Sequence, residues 1–271
     1  MKIIISIVIL SGLVVLLLTH LNEAHDLEVT RSRIGQEKGK GPGLRMAQIS
    51  DLHIVGDAEV EKKVLRVIQK EDPDLVLLTG DILPHRDKLE ALDLFLTQLG
   101  SRSDKIAILG NWEYWAGMPK KEIQQFYARH QVTLLVNEAI VVGKEPGKQL
   151  LVAGLDDELR GTPNWSSSMA QHQEWNGPIL ILAHNPMAVE LSPDFDHNRR
   201  DRVMLAGHTH GGQIRLFGWT IKAAGLEEGI CIAGWCRRRG IPLYVSRGIG
   251  TSIIPVRIGS RPELALFEWI W

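Results

Sequence analysis

Apolar and polar positions follow two periods along this chain. Residues 44–50 (LRMAQIS) read as a strand ending at Ser50. After them Val60, Val64, Leu65, Val67 and Ile68 fall on one helix face, which Pro73 closes. LVLLT (75–79) is a short apolar strand ended by Gly80. Leu89, Leu92, Leu96 and Leu99 mark a second helix, IAIL (106–109) a third strand closed by Gly110, and EIQQFYARH a third helix. Short β-like runs follow: VTLLV, AIVVG, QLLVAGL, ILILA (179–183), VMLA (203–206), PLYVS (242–246) and ELALFEW (263–269). The uncharged VMLA run has the character of a strand buried on both faces. Strands alternating with helices, then strand-rich segments, predict an α/β sandwich on a mixed sheet.

A different pattern precedes residue 44. Residues 3–18 carry no charge, and Thr19 to Leu21 extend the run to the ~20 residues that span a bilayer. A cleaved signal peptide is the competing reading. No small-x-small cleavage site follows, so residues 1–21 are expected to be an uncleaved N-terminal membrane helix, with the protein at the cell (inner) membrane. Lys2 and the terminal amine favour one orientation, Arg31, Arg33 and Lys38 the other, so the side of the catalytic domain stays open. Residues 22–43 are polar, end in GKGPG and are expected to be a linker; residues 44–271 then form one domain.

Composition adds exclusions. A net charge of −1 gives no field that would recruit nucleic acid. Two cysteines, Cys231 and Cys236, exclude a disulfide-dense scaffold and leave one local bridge or two free thiols. Eight tryptophans against five phenylalanines favour surfaces that are half apolar and half wet.

The chemistry lies where the strands end. Asp51 and His53 follow the first strand, Asp81 the second, Asn111 the third, His184 the ILILA run, and His208 and His210 the VMLA run. Ligand sites in α/β sheets gather at carboxyl ends of strands. Caps and turns explain any one of these residues taken alone. Jointly they supply seven nitrogen or oxygen ligands, about what two metal ions need if a carboxylate bridges them.

In order and spacing, DLH, GD, GN, a lone histidine and GHTH resemble the calcineurin-like metallophosphoesterases over roughly residues 45–268. YVSRGIGTS and RPELALF are similar to a bacterial membrane-associated branch, some of whose members cleave UDP-2,3-diacylglucosamine. The resemblance implies a four-layer α/β/β/α sandwich with mixed sheets and a dinuclear centre. Asp51, His53 and His210 would hold the first metal, Asn111, His184 and His208 the second, and Asp81 would bridge them. Asp81, Asn111 and His184 would be catalytic as well. A thiolate-free N/O set favours Mn²⁺, with Zn²⁺ or Fe as alternatives, and two such ions activate water for in-line attack at phosphorus.

One position departs from that family. Its Gly-Asn-His motif reads Gly110-Asn111-Trp112 here, followed by Glu113. An indole donates a hydrogen bond but transfers no proton, which points to diesters or pyrophosphates, whose leaving groups are stable anions. His85 is the candidate replacement acid, or else an exposed loop histidine. Arg247 is the candidate phosphate clamp, or else part of a surface ion pair. Trp112 is the candidate substrate contact. Trp115, Trp235 and the arginines at 237–239 add aromatic and cationic surface suited to a lipid interface, or are packing and a solvated loop. The expected partners are a membrane and a phosphorylated, lipid-linked small molecule. The alternatives are a broad-specificity phosphomonoesterase and a non-catalytic protein-binding module.

Overall fold

The computed structural model describes residues 9–16, 22–35, 43–56, 58–143, 145, 147–191, 202–216, 219–220, 229 and 231–271. Residues 9–16 are helical (α1). The first half continues with β1 (Glu28–Gly35), β2 (Leu44–Ile49), α2 (Glu59–Glu71), β3 (Leu75–Thr79), α3 (Leu89–Leu99), β4 (Asp104–Ile108), α4 (Asn111–Trp115), α5 (Lys120–Arg129) and β5 (Val132–Leu134). The second half holds β6 (Glu138–Val142), β7 (Leu150–Gly154), α6 (Trp165–Met169), β8 (Ile179–Leu182), β9 (Arg202–Ala206), β10 (Arg215–Leu216), β11 (Trp219–Thr220), β12 (Gly234–Arg238), β13 (Ile241–Val245) and β14 (Glu263–Ile270).

Two six-stranded sheets carry the fold, in the orders β1-β14-β2-β3-β4-β5 and β12-β13-β9-β8-β7-β6. Each is mixed: β2 to β5 run parallel while β14 runs against β2, and β7, β8, β9 and β13 run parallel while β6 and β12 run against them. Period-two alternation with both faces apolar explains the packing. In β3, Leu75 and Leu77 meet Leu150, Val152, Leu180 and Leu182 of the other sheet, whereas Val76 and Leu78 lie under the helices with Val64, Leu92 and Tyr127. The outer face of the second sheet, with Ile179, Ile181, Met204 and Leu243, packs on Ala188 and Val189 of a 3-10 segment and on Trp165 and Met169 of α6. Among the described residues, that fourth layer is much thinner than the helical layer on the first sheet.

One expectation changes. The stretch expected to be a linker, 22–43, contains β1, paired in parallel with β14 from Glu28↔Glu263 to Gly35↔Ile270. Its apolar members, Val29 and Ile34, are too few to show a period, although each packs on a core cluster. The expected anchor is described only over 9–16, and the remainder lies outside the described residues. Among the described residues no helix is long and apolar enough to cross a membrane.

The position of β1 gives a direct test. A chain lacking residues 1–21 keeps the edge strand, whereas one lacking residues 1–43 leaves β14 as an unpaired, largely apolar edge. The shorter chain is expected to lose stability in denaturant melts and to associate on a sizing column. Equal melting midpoints for the two truncations would show that β1 contributes nothing.

Candidate metal centre

The polar residues predicted at the strand ends meet at one seam between the two sheets. Hydrogen bonds draw neighbouring loops together: Asp51 N–H donates to Gly80 O (3.0 Å), His53 N–H to Asp81 O (3.0 Å) and Gly207 N–H to His184 O (2.9 Å). Five of these residues adopt left-handed backbone, with φ of 48° at Asp51, 41° at His53, 53° at Asp81, 67° at His208 and 50° at His210. Such a conformation costs a non-glycine residue about 1–3 kcal/mol, and clusters of it mark functional sites. Two glycines make room. A Cβ on Gly110 would lie 2.3 Å from Asp81 Oδ1, and one on Gly207 1.9 Å from Ser50 Oγ.

The side chains form two ligand groups. Asp51, His53 and His210 make one and Asp81, His184 and His208 the other, with the offered atoms of each group within 4.8 Å of one another. The first group holds the three residues expected for the first metal, and the second holds His184 and His208 together with Asp81, the residue expected to bridge, and without Asn111. Asp81 Oδ2 lies 3.1 Å from His184 Nε2 and 3.7 Å from His53 Nε2, so it reaches into both groups. Asp51 Oδ1 lies 3.4 Å from His210 Nε2 and 3.9 Å from His184 Nε2. Two imidazole nitrogens, His53 Nε2 and His210 Nε2, face each other at 3.1 Å.

Asn111 Oδ1, His184 Nε2 and His208 Nδ1 are among the buried side-chain atoms that make no hydrogen bond, the 3.1 Å approach of His184 Nε2 to Asp81 lacking the geometry of one. An unsatisfied buried acceptor costs about 1–3 kcal/mol, and all three belong to residues expected to bind the second metal. A divalent cation would satisfy them, so the residues fit a two-metal centre by donor type and by need.

Burial sets the protonation behaviour. It pushes Asp51 up to about 6, with His184 opposing and the Asp81 charge adding to the rise. Burial works against the ionised form of Asp81 too, but the charges of His184 and His53 prevail, and its pKa is lowered. Desolvation takes His53 and His208 down to about 4. His184 is raised well above the ordinary value because Asp81, Asp51 and Asp157 outweigh its desolvation.

A surrounding ring holds these ligands in place. The buried Glu113 carboxylate accepts the N–H groups of Gly110 (2.8 Å), Asp81 (3.0 Å), Ile82 (2.6 Å) and Leu83 (2.9 Å), joining the β3 and β4 loops. His184 Nδ1 lies 2.9 Å from Thr79 O, which orients the ring and leaves Nε2 for the site. Asp51 accepts from Ser50 Oγ (2.6 Å) and His208 N–H (3.0 Å). Arg257, wholly buried, donates to Gly250 O (2.8 Å) and Ser260 O (3.1 Å) and lies 3.1 Å from His210 Nδ1. Thr209, between the two histidines of GHTH, donates to Ile232 O (2.7 Å) inside the loop closed by a Cys231–Cys236 disulfide, which settles the thiol question. Sequence reasoning missed the roles of Glu113 and Arg257. Glu113 could have been found as the acidic residue at the third position of a helix opening at Gly-Asn. Nothing marked Arg257 among 31 basic residues.

The expected substrate residues separate. Trp112 borders the site: its ring centroid is 5.0 Å from that of His53, and its backbone N–H donates to Asp81 Oδ1 (2.9 Å). His85 is exposed and packs against Trp112 at 5.7 Å between centroids. Arg247 forms ion pairs, its guanidinium lying 3.1 Å from Glu28 and 3.3 Å from Glu263. Trp235 is far from the ligands in function, its Nε1–H donating to Ser32 Oγ on β1 (3.0 Å).

The low value at His208 predicts a pH effect. Its folded pKa of about 4 lies below the ordinary 6.5, so between these values the unfolded chain binds more protons there, and acidification costs stability. Metal-free His208→Gln lacks this contribution. Its stability relative to metal-free wild type should rise as pH falls from about 6.5 to about 4, read from denaturant titrations at matched pH. A constant difference across that window would contradict the shift.

Comparison with known proteins agrees with this geometry. Phosphodiesterase YaeI of Escherichia coli is 29% identical over 262 residues, covering 93% of this chain and 91% of the relative. Metallophosphoesterase YkuE of Bacillus subtilis is 27% identical over 230 residues, covering 83% and 78%. A dimetal phosphatase from Danio rerio shares the fold, with a TM-score of 0.50 at 12% identity over 77% of this chain and 88% of that one. The calcineurin-like phosphoesterase family profile matches residues 44–212, well over half of the sequence, and the chain belongs to that family.

Proposed function

We propose that this chain is a two-metal phosphohydrolase cleaving a phosphodiester or pyrophosphate bond, with Asp51, His53 and His210 holding one ion, Asn111, His184 and His208 the other, and Asp81 shared. The observation that carries this is the trio of partnerless buried atoms, Asn111 Oδ1, His184 Nε2 and His208 Nδ1, beside a carboxylate that reaches both groups. The all-N/O donor set favours Mn²⁺ over softer ions. Bound there, two ions would supply activated water and neutralise phosphoryl oxygens.

The chain's own residues decide which leaving group is accepted. Trp112 occupies the position beside His53 where a proton donor would act, and its indole has no proton to give at useful pH. General-acid help is worth about 10²–10⁴ in rate, and its lack falls hardest on alkoxide leaving groups. A nucleotide or phosphate departs as a stable anion and needs no such help. The phosphodiesterase name of the Escherichia coli relative supports the diester reading. A lipid-linked member of this substrate class, with UDP-2,3-diacylglucosamine the first to assay, is supported by the apolar run at 3–18 and by Trp112 and Trp115 beside the ligands.

Two experiments test the proposal. Purified chain incubated with Mn²⁺ should hold about two ions, and Asp81→Ala should abolish hydrolysis with its circular dichroism unchanged; fewer than about one ion per wild-type chain by elemental analysis would refute the centre. Trp112→His should raise hydrolysis of alkyl monoesters by about tenfold, ~1.4 kcal/mol of transition-state stabilisation, and change activated diesters far less. Wild-type protein that cleaves alkyl monoesters as readily as activated diesters would sink the leaving-group argument.

A further inference from the structure

The loops around the metal centre expose large apolar side chains. Val55, two residues past His53, is 59% exposed; Trp115, at the end of α4, 49%; Leu159, in the loop after β7, 43%; and Ile253 and Ile254, in the loop after β13, 85% and 51%. Their loops all leave the same end of the two sheets. β2 and β4 are parallel members of one sheet, β7 and β13 parallel members of the other, and His184 and Asp51 lie at the ends of strands in each. The loops also touch. The Arg160 guanidinium lies 5.1 Å from the Trp115 ring centroid, Gly250 N–H donates to Asp51 O (2.7 Å), and Gln213 Nε2–H donates to Ile254 O (2.7 Å). Exposed apolar side chains gathered around one mouth mark a contact surface.

The chain itself says which partner fits. β1 enters the sheet in parallel with β14, so Glu28 lies beside Glu263 at the metal-centre end. Just before it, Asp26 pairs with Arg261 at 2.9 Å and the Glu23 carboxylate accepts from Gly259 N–H at 2.6 Å. In the sequence, Leu21, where the extension of the uncharged run ends, comes two residues before Glu23. At no more than about 3.6 Å per residue, a bilayer that receives that run lies against this end of the domain and no other.

We infer that the apolar rim formed by Val55, Trp115, Leu159, Ile253 and Ile254 docks the mouth of the metal centre onto a lipid bilayer, so that phosphate esters are taken from the membrane surface. This rests on the two-metal reading for the identity of the mouth, and its test does not measure catalysis. Full-length Ile253→Cys, labelled with an environment-sensitive fluorophore, is reconstituted into phosphatidylcholine–phosphatidylglycerol vesicles; Leu94→Cys, exposed on α3, serves as control, and the native cysteines are paired. Brominated acyl chains should quench the label at 253 at least about twofold and leave that at 94 unaffected. A label at 253 that stays unquenched while the protein sediments with the vesicles overturns the inference, as does one shielded from aqueous iodide without lipid quenching, which would mean a second protein copy covers it. Leu159→Cys gives the same reading if the first variant does not fold. Metal content of the same samples keeps the failures apart: two ions without quenching sink the docking, and quenching without metal sinks the two-metal centre instead.

Discussion

Two carboxylates and four imidazoles are withdrawn from water at the seam of two sheets, and the rest of the structure answers that constraint. Burial of ionised groups is costly unless they are paired. Here the pairing is internal and incomplete: Asp51 is driven up to about 6 by burial while Asp81, surrounded by His184 and His53, goes down. Neighbouring carboxyls that cannot both ionise freely divide in this way. A divalent cation reverses the local logic, because its charge stabilises both carboxylates and takes the free imidazole lone pairs. Desolvation that keeps His53 and His208 neutral therefore serves ligation as well, since a protonated imidazole binds no metal.

Holding such a cluster requires rigidity from outside it. Asp51, His53, Asp81, His208 and His210 sit in left-handed backbone, a conformation uncommon outside glycine. What over-determines them is the exchange of loop hydrogen bonds between strand ends, backed by strands buried on both faces. Glu113 has a special part because its four N–H partners include the amide of Asp81 itself. Arg257 does comparable work on the other side, fastening the carbonyls of Gly250 and Ser260 beside His210 without a carboxylate of its own.

How much of this was legible in the sequence depended on the kind of force involved. β3, β8 and β9 could be read because strands covered on both faces must be apolar throughout. The ligands could be read because parallel strands deliver their next residues to one end, so Asp81 and His184, 103 positions apart, announce a common place. β1 could not, because only Val29 and Ile34 of its side chains are apolar and they obey no period. Neither could the thin fourth layer, since Trp165 and Met169 cover a sheet face from a five-residue helix. Arg247 had two open readings for a related reason: its ion-pair partner Glu28 comes from a segment that looked unstructured.

The segment Gly110 to Glu113 explains how the family's histidine position can hold a tryptophan without dismantling the centre. Gly110 provides a space that a Cβ would fill, Asn111 turns a partnerless amide oxygen to the site, and Glu113 ties four amides together. Trp112 contributes to that scaffold through its backbone N–H on Asp81, a contact any residue except proline can make. Its side chain lies outside this bonding and meets the His53 ring edge-on. The ligand scaffold and the chemistry offered to the leaving group are thus carried by different atoms of one residue. A change of that side chain leaves the backbone contact to Asp81 in place, so under the proposed two-metal reading it would alter what the leaving group meets and not how the ligands are held.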